Sequence, residues 1–150
     1  MNTTGRGFTQ PIPDVLLQQI IKLDQIFFPK PWAADEWKNV NYNNTLVIGW
    51  EKESNPVGFA LFGTSPGDET AHLYKILVHP SHQGTAVTQE FWSYILAKLR
   101  QRNFKSIFLE VEDDNLRAIR FYSKVGFATL RQIKNYYSNG GGAYTMQLML

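Results

Sequence analysis

The feature that most constrains the fold is a strand–loop–helix–strand pattern between residues 71 and 111. The apolar run at 71–78 predicts a buried β-strand, and apolar residues at helical spacing over 90–99 predict an amphipathic helix. A second strand is predicted at 106–111. Because such crossovers are almost always right-handed, we expect the two strands to be parallel, with the helix N-terminus at the carboxyl end of the first strand.

The loop inside this unit, HQGTAV at residues 82–87, lies at the sheet edge where open α/β proteins bind ligands. The N–H groups in the first turn of a helix lack acceptors within the helix, so those of residues 84–88 are expected to be unpaired and to point outward, which favours an anion. Phosphate-binding loops are usually richer in glycine, and Ala86 and Thr88 stand where more glycine is expected. Position alone therefore leaves an anion site and a plain turn as alternatives.

The rest of the chain predicts one mixed α/β or α+β domain over residues 1–150, in which antiparallel strands accompany the parallel β-α-β unit. The remaining helices are predicted over 13–28, 33–40 and 116–124, and FPKPW at 28–32 separates the first two. The remaining strands are predicted over 45–51, 57–62, 127–133 and 144–150. A turn at Ser54-Asn55-Pro56 and a loop containing Gly140-Gly141-Gly142 predict two hairpins.

Composition excludes several classes of protein. The chain has no cysteine, which rules out disulfides and thiolate metal sites. No segment approaches the roughly 20 apolar residues that span a bilayer, and the first residues lack the apolar core of a secretory signal, so no membrane role and a cytoplasmic location are expected. The net charge of +2 is too small to indicate nucleic-acid binding.

The three histidines are expected to be scattered on the surface. His72 and His79 differ by an odd number along or beside a predicted strand, so they should point to opposite faces. His82 lies in the loop that follows. We therefore expect no metal site.

Three segments of the second half resemble the GNAT superfamily of acetyl-CoA-dependent N-acetyltransferases. They are LYKILVHPSHQGTAV, FLEVEDDNLRAIRFYSKVGF and NYYSNGGGAYTMQLML, and FPKPW supports them. Within the superfamily the chain resembles the RimI branch, which acetylates the N-terminal alanine of a ribosomal protein. The resemblance implies a GNAT fold of about six to seven mostly antiparallel strands and about four helices. It also implies acetyl-CoA as cofactor, no metal, and a monomer or weak dimer.

Acetyl transfer to an amine needs a neutral amine, an oxyanion donor, a proton for the leaving thiolate and alignment. In SIFLEVED, strand alternation puts Phe108, Glu110 and Glu112 on one face, where a carboxylate beside Phe108 is partly desolvated. The resemblance places the catalytic base on Glu110, and Glu112 acting through water is the alternative. It places the acid on Tyr122, since a phenol of pKa about 10 can protonate a thiolate of pKa about 8.5. An exposed strand glutamate and a buried core tyrosine are the structural alternatives.

The resemblance also implies a cofactor site. Val78 would provide the oxyanion N–H, and the backbone groups of Ile76 and Val78 would pair with the pantetheine amides as an added strand does. The family's phosphate loop falls on residues 83–88, with both of its glycine positions changed. Asn115 is also expected to cap the following helix. The implied cofactor residues are Ile76, Leu77, Val78, Gln83, Gly84, Thr85, Ala86, Val87, Thr88, Asn115, Ala118, Phe121, Tyr122 and Lys124.

On the acceptor side, Trp32 lies in the segment that resembles the family's substrate loop, and Tyr136 and Tyr137 resemble its substrate-side hairpin, with Glu112 nearby. Aromatic residues of the core or the hairpin are the alternative interpretation. Three functions stay open: acetylation of a protein N-terminal α-amine, acetylation of a small amine (polyamine, amino acid or aminoglycoside), and non-catalytic binding of acyl-CoA. The altered loop favours the last of these, and the retained Glu110 and Tyr122 disfavour it.

Overall fold

The computed structural model describes residues 5–150, which form a seven-stranded sheet covered by helices on both faces. Residues 1–4, where the predicted domain begins, lie outside the described residues. The strands are β1 (Arg6–Thr9), β2 (Thr45–Lys52), β3 (Asn55–Gly63), β4 (Thr70–Val78), β5 (Ser106–Glu112), β6 (Ala128–Ile133) and β7 (Ala143–Met149). The helices are α1 (Asp14–Phe27), α2 (Ala34–Lys38), α3 (Ala86–Gln101) and α4 (Leu116–Lys124).

The strand order is β1-β2-β3-β4-β5-β7-β6, and among the described residues only β4 and β5 are parallel. The predicted mixed fold, with its parallel β-α-β unit, is therefore confirmed. The structure differs from the predicted elements in three places. The short strand β1 was not predicted, because four residues are too few to display an alternating pattern. α3 begins at Ala86 rather than near residue 90, because Thr85 caps it. The β2–β3 turn centres on Glu53 and Ser54, both at positive φ, which places Pro56 inside β3.

The sheet separates two hydrophobic cores. The larger core lies under α3 and α4 and includes buried residues of five strands, among them Phe62, Leu73 and Ile107. The smaller core lies under α1 and α2, where Ile20 and Trp37 pack against Phe59 and Leu61 of β3. Because both faces are covered, the interior strands β2 and β3 are buried along nearly their whole length.

Two irregularities in β4 shape the region that carries the predicted site. β4 and β5 pair only at Thr70–His72, so the strands separate beyond that point and leave a gap. An extra residue at Tyr74 also interrupts the pairing of β4 with β3, and a bulge of this kind reverses side-chain alternation. Leu73 and Ile76 consequently both pack toward α3 and α4, although they are an odd number apart. His72 points to the opposite face.

Candidate functional site

Backbone donors of β4 face the gap between β4 and β5. The N–H of His79 donates to the carbonyl of Val57 in β3 at 2.7 Å. Backbone groups of an antiparallel strand alternate in direction, so the N–H groups of Val78 and Ile76 turn away from β3 and toward the gap. The carbonyl of Val78 is occupied, because the side-chain amide of Gln83 donates to it at 2.8 Å. The gap therefore offers N–H donors to an extended ligand.

A cleft of about 390 Å³ lies beside these donors, on the side of α3 and α4. Its lining consists of Ile76, Val78, Gln83, Gly84, Thr88, Asn115, Arg117, Ala118, Phe121 and Tyr122. Nine of these ten residues belong to the predicted cofactor set. The structure thus brings together residues from a strand, a loop and a helix that are separate in sequence.

Five predicted cofactor residues do not line the cleft. The side chain of Leu77 packs into the core under α1 and α2. Lys124 lies in the last turn of α4. Thr85, Ala86 and Val87 form the N-terminus of α3 next to the lining. The basic side chain in the lining is Arg117.

The loop before α3 offers fewer free donors than expected. The N–H groups of Thr85, Val87 and Thr88 each donate to an oxygen of residue 82 or 85, at 3.2–3.3 Å. The expectation that residues 84–88 all have unpaired N–H groups is therefore wrong, because Thr85 caps the helix. Within residues 5–150, no acceptor lies within hydrogen-bonding distance of the N–H groups of Gly84 and Ala86. Gly84 has a φ of 73°, a conformation that favours glycine.

Arg117 is a functional candidate that the sequence analysis missed. Its guanidinium donates to the side-chain oxygen of Gln83, whose amide nitrogen in turn holds the carbonyl of Val78. Gln83 therefore connects the end of β4 with the first turn of α4. The available signal was the position of Arg117 two residues after Asn115, which caps α4 by accepting from the N–H of Ala118 at 3.2 Å.

Tyr122 is held as a neutral phenol at the inner end of the cleft. Its ring packs edge-on against Phe121 and Phe127, with centroids 5.6 and 5.4 Å apart. Burial raises the pKa of Tyr122 to about 12. The hydroxyl therefore keeps its proton across the physiological pH range and can act as a donor.

Glu110 lies on the opposite face of the sheet, between two hydrogen-bonding partners. Its Oε2 is 2.6 Å from Nε2 of His72, and its Oε1 accepts from the hydroxyl of Tyr136 at 3.3 Å. The side chain of Glu110 is 20% exposed, so it can meet a ligand that enters from solvent. The negative charge of Glu110, followed by burial, raises the pKa of Tyr136.

The expectation that His72 and His79 point to opposite faces is wrong. The extra residue at Tyr74 shifts the alternation of β4, so the odd spacing of His72 and His79 does not separate them. His72 reaches Glu110, and His79 lies edge-on against Phe27 of α1, with ring centroids 5.4 Å apart. Both rings are thus on the face that α1 and α2 cover. Within residues 5–150, no three His, Asp or Glu side chains come together as metal ligands would.

The residues predicted for the acceptor side are Tyr136, Tyr137, Glu112 and Trp32, of which Tyr136 contacts Glu110. Tyr136 and Tyr137 pack edge-on, with centroids 5.0 Å apart. Burial, followed by the charge of Glu112, raises the pKa of Tyr137 to about 12. Glu112 is exposed at the end of β5. Trp32 packs against Trp37 at 5.1 Å and helps to line a second cleft of about 460 Å³, which it shares with His72.

A buried ion pair holds the loop that carries Trp32, and the sequence analysis missed it. Asp24 in α1 is fully buried and accepts from the backbone N–H of Trp32 at 2.9 Å and from the indole N–H of Trp37 at 2.8 Å. Its other oxygen accepts from Nζ of Lys75 at 2.7 Å. The sequence pattern around Asp24 is that of an ordinary amphipathic helix, and it does not predict the ion pair because the partners of Asp24 come from other segments.

Solved acetyltransferases have the same fold. The ribosomal-protein-S18-alanine N-acetyltransferase of Escherichia coli matches with a TM-score of 0.79 at 21% identity, covering 96% of this chain and 94% of that one. Arabidopsis thaliana NAA60 in complex with acetyl-CoA matches with a TM-score of 0.79 at 13% identity, covering 97% and 99%. The fold is thus that of an acetyltransferase. None of the helices within residues 5–150 has both the length and the apolar character that crossing a membrane requires.

Sequence comparison defines the family. The acetyltransferase (GNAT) family matches residues 17–127. The [ribosomal protein bS18]-alanine N-acetyltransferase of Escherichia coli strain K12 is 32% identical over 114 residues, which is 75% of this chain and 74% of the relative. The chain belongs to the GNAT acetyltransferase family, whose enzymes use acetyl-CoA. The predictions of an N-acetyltransferase and of a resemblance to the RimI branch are confirmed.

Proposed function

We propose that this protein transfers the acetyl group of acetyl-CoA to the α-amine at the N-terminus of a protein, with Glu110 as the base and Tyr122 as the acid. The observation that carries the proposal is the arrangement around the gap between β4 and β5. A cleft suited to the cofactor lies on one side of the sheet, and a hydrogen-bonded carboxylate lies on the other. An acetyl group in the gap would be within reach of both.

The residues of the cleft fit acetyl-CoA. The N–H groups of Ile76 and Val78 face the gap, where they can pair with pantetheine amides as a strand would. At the outer end, Gly84 and Ala86 keep N–H groups for a phosphate, and Arg117 supplies a planar, permanently charged donor. When bound, acetyl-CoA supplies the thioester that donates the acetyl group. The changed glycines of the loop are thus compatible with the site.

Glu110 would take the proton from the acceptor amine. An α-amine titrates near about 8, so at pH 7 most of it carries the extra proton and cannot attack. The carboxylate of Glu110 is accessible from the acceptor side and accepts hydrogen bonds through both oxygens. Glu112 stays the alternative, because it is exposed on the same face two residues further along β5.

Tyr122 and Val78 would act on the thioester and its leaving thiolate. The phenol of Tyr122, which is neutral at physiological pH, would donate a proton to the departing thiolate. The N–H of Val78 faces the gap and would stabilise the negative charge that develops on the thioester oxygen. Trp32, Tyr136 and Tyr137 would form the walls of the acceptor site.

The names of relatives favour a protein α-amine as acceptor, since the Escherichia coli relative acetylates an alanine of ribosomal protein bS18. A polyamine is the second candidate. It is favoured by the carboxylates of Glu112 and Asp113, both close enough to Tyr137 to raise its pKa. A chain of several ammonium groups would match these charges better than an uncharged peptide backbone.

Acetyl-CoA turnover with a panel of acceptors tests the proposal. The panel should contain peptides with free N-terminal alanine, serine or methionine, the same peptides with blocked N-termini, and spermidine. We expect turnover with free peptides and none with blocked ones. Turnover with spermidine alone would establish the second candidate. No turnover with any acceptor, together with retained binding of acetyl-CoA, would favour a non-catalytic module.

Substitution of the two residues tests the mechanism. Glu110→Gln and Tyr122→Phe should each lower kcat by about 10²- to 10⁴-fold. The Glu110→Gln defect should be largest at pH 6 and shrink toward pH 9, since the amine then loses its own proton. Glu90→Gln and Tyr42→Phe, at exposed positions, are matched controls. Wild-type turnover in both active-site variants from pH 6 to 9 would contradict the assigned roles.

A further inference from the structure

The imidazole of His72 is fixed against Glu110 at the point where β4 and β5 begin to separate. Nε2 of His72 lies 2.6 Å from Oε2 of Glu110. The ring packs edge-on against Phe108, with centroids 5.4 Å apart, and at a tilt against Tyr74, with centroids 4.6 Å apart. The side chain is 33% exposed, on the wall of the second cleft. A ring held by two aromatic neighbours gives its hydrogen bond a defined direction.

We propose that His72 is a positioning residue that orients Glu110 for its role as base, an inference that rests on the function proposed above. In the neutral tautomer with hydrogen on Nε2, His72 donates to Oε2 and holds the carboxylate in one rotamer. Oε1 is then the oxygen left for the proton of the acceptor amine. Its recorded donor, the hydroxyl of Tyr136, is 3.3 Å away and is easily displaced.

Glu110 is the carboxylate that the ring of His72 contacts. The other titratable groups around the ring are Tyr74 on β4 and Asp68 on the cleft wall, with Tyr136 contacting the same carboxylate. The hydrogen bond of His72 is therefore directed at the proposed base.

Two variants of His72 test the hydrogen bond to Glu110. His72→Leu removes the donor, and we expect kcat to fall about 10- to 100-fold, with the KM for acetyl-CoA unchanged because His72 lies outside the cofactor cleft. His72→Gln keeps an N–H donor. It should retain more of kcat than His72→Leu. His79→Gln, whose ring faces Phe27 instead, should leave kcat unchanged.

A double variant shows whether His72 acts through Glu110. His72→Leu combined with Glu110→Gln should be no slower than Glu110→Gln alone. If the His72→Leu loss appears in full on the Glu110→Gln background, or if His72→Leu has wild-type kcat, the inference is overturned. Failure of the underlying function is a different result, because Glu110→Gln itself would then keep wild-type turnover. The melting temperature of each variant shows whether it is folded, and His72→Gln, which keeps the donor, separates the loss of the hydrogen bond from a loss of the fold.

Discussion

The buried pair of Asp24 and Lys75 is expected to be the most sensitive point outside the reaction centre. Asp24 is 0% exposed, and the side chain of Lys75 is 10% exposed. The ammonium group also donates to the carbonyl of Lys30 at 3.3 Å and lies 5.0 Å from the ring centre of Phe28. Charge, hydrogen bonding and packing therefore all link β4 to the loop between α1 and α2.

Lys75→Met keeps the length of the side chain and removes its charge, which leaves the carboxylate of Asp24 buried without a counterion. Removing one partner of a buried ion pair typically costs about 3–5 kcal/mol of unfolding free energy. In a domain of this size each kcal/mol shifts Tm by about 2–4 °C, so we expect Tm to fall by about 6–20 °C. Asp24→Asn should cost less, because Lys75 keeps the carbonyl of Lys30 as an acceptor.

Calorimetry or thermal circular dichroism of the purified variants measures this loss. Lys22→Met, on the exposed side of α1, is the matched control and should change Tm by less than about 2 °C. Asp24→Asn combined with Lys75→Met removes both charges, so its loss should be smaller than the sum of the two single losses by about 0.5–3 kcal/mol. A Lys75→Met protein that melts with the wild type would refute the reasoning.

Three further predictions concern the cofactor cleft and the sheet. Arg117→Ala should raise the KM for acetyl-CoA about tenfold and leave the KM for the acceptor unchanged, since it removes one charge-assisted contact to a phosphate. A steady-state assay in which the variant and the wild type have the same KM for acetyl-CoA would contradict this. The raised pKa of Tyr122, about 12 against about 10 when unfolded, means that the folded state keeps a proton that the unfolded chain releases as pH rises. Urea unfolding should therefore show wild type losing about 1.4 kcal/mol relative to Tyr122→Phe between pH 9 and 11, and parallel pH profiles would speak against it. Gly49→Ala should lower Tm, because its Cβ would lie 2.1 Å from the ring of Phe8 in β1. Lys52→Ala, at the end of the same strand, should leave Tm unchanged. A Gly49→Ala protein with unchanged Tm would show that β1 can move away from β2 without loss of stability.

Local sequence patterns were sufficient to predict the central architecture, and the resemblance to the GNAT superfamily implied most of the residues that line the cleft. The apolar run of β4, the polar loop and the helical spacing of α3 determine a crossover with one chirality, so the parallel pair follows from general rules. The cleft lies where that geometry places it, and nine of its ten lining residues were predicted. Asn115 was predicted to cap α4, and its side chain accepts from the N–H of Ala118.

Contacts between distant segments were not predictable in the same way. Asp24 and Lys75 are separated by 51 residues, and each is ordinary in its local pattern. Arg117 and Gln83 are 34 residues apart, and nothing in either segment indicates the other. The number of free N–H groups before α3 was overestimated, because the capping residue of a helix can be identified only when the first residue of that helix is known. These contacts depend on the tertiary packing of segments that are far apart in the sequence.

The extra residue at Tyr74 shows how one position of a strand can connect the two halves of the site. In a regular strand His72 and Ile76 would point to the same face, and His72 would lie under α3 and α4, away from Glu110. With the bulge, Ile76 stays on the face of the cleft while His72 points to the opposite face and reaches Glu110. Whether a strand contains a bulge depends on its pairing with the neighbouring strand, which a single run of residues does not reveal. The parity argument for the histidines was therefore sound for a regular strand and wrong for this one. The same irregularity lets β4 line the cleft with Ile76 on one face of the sheet and contact Glu110 with His72 on the other.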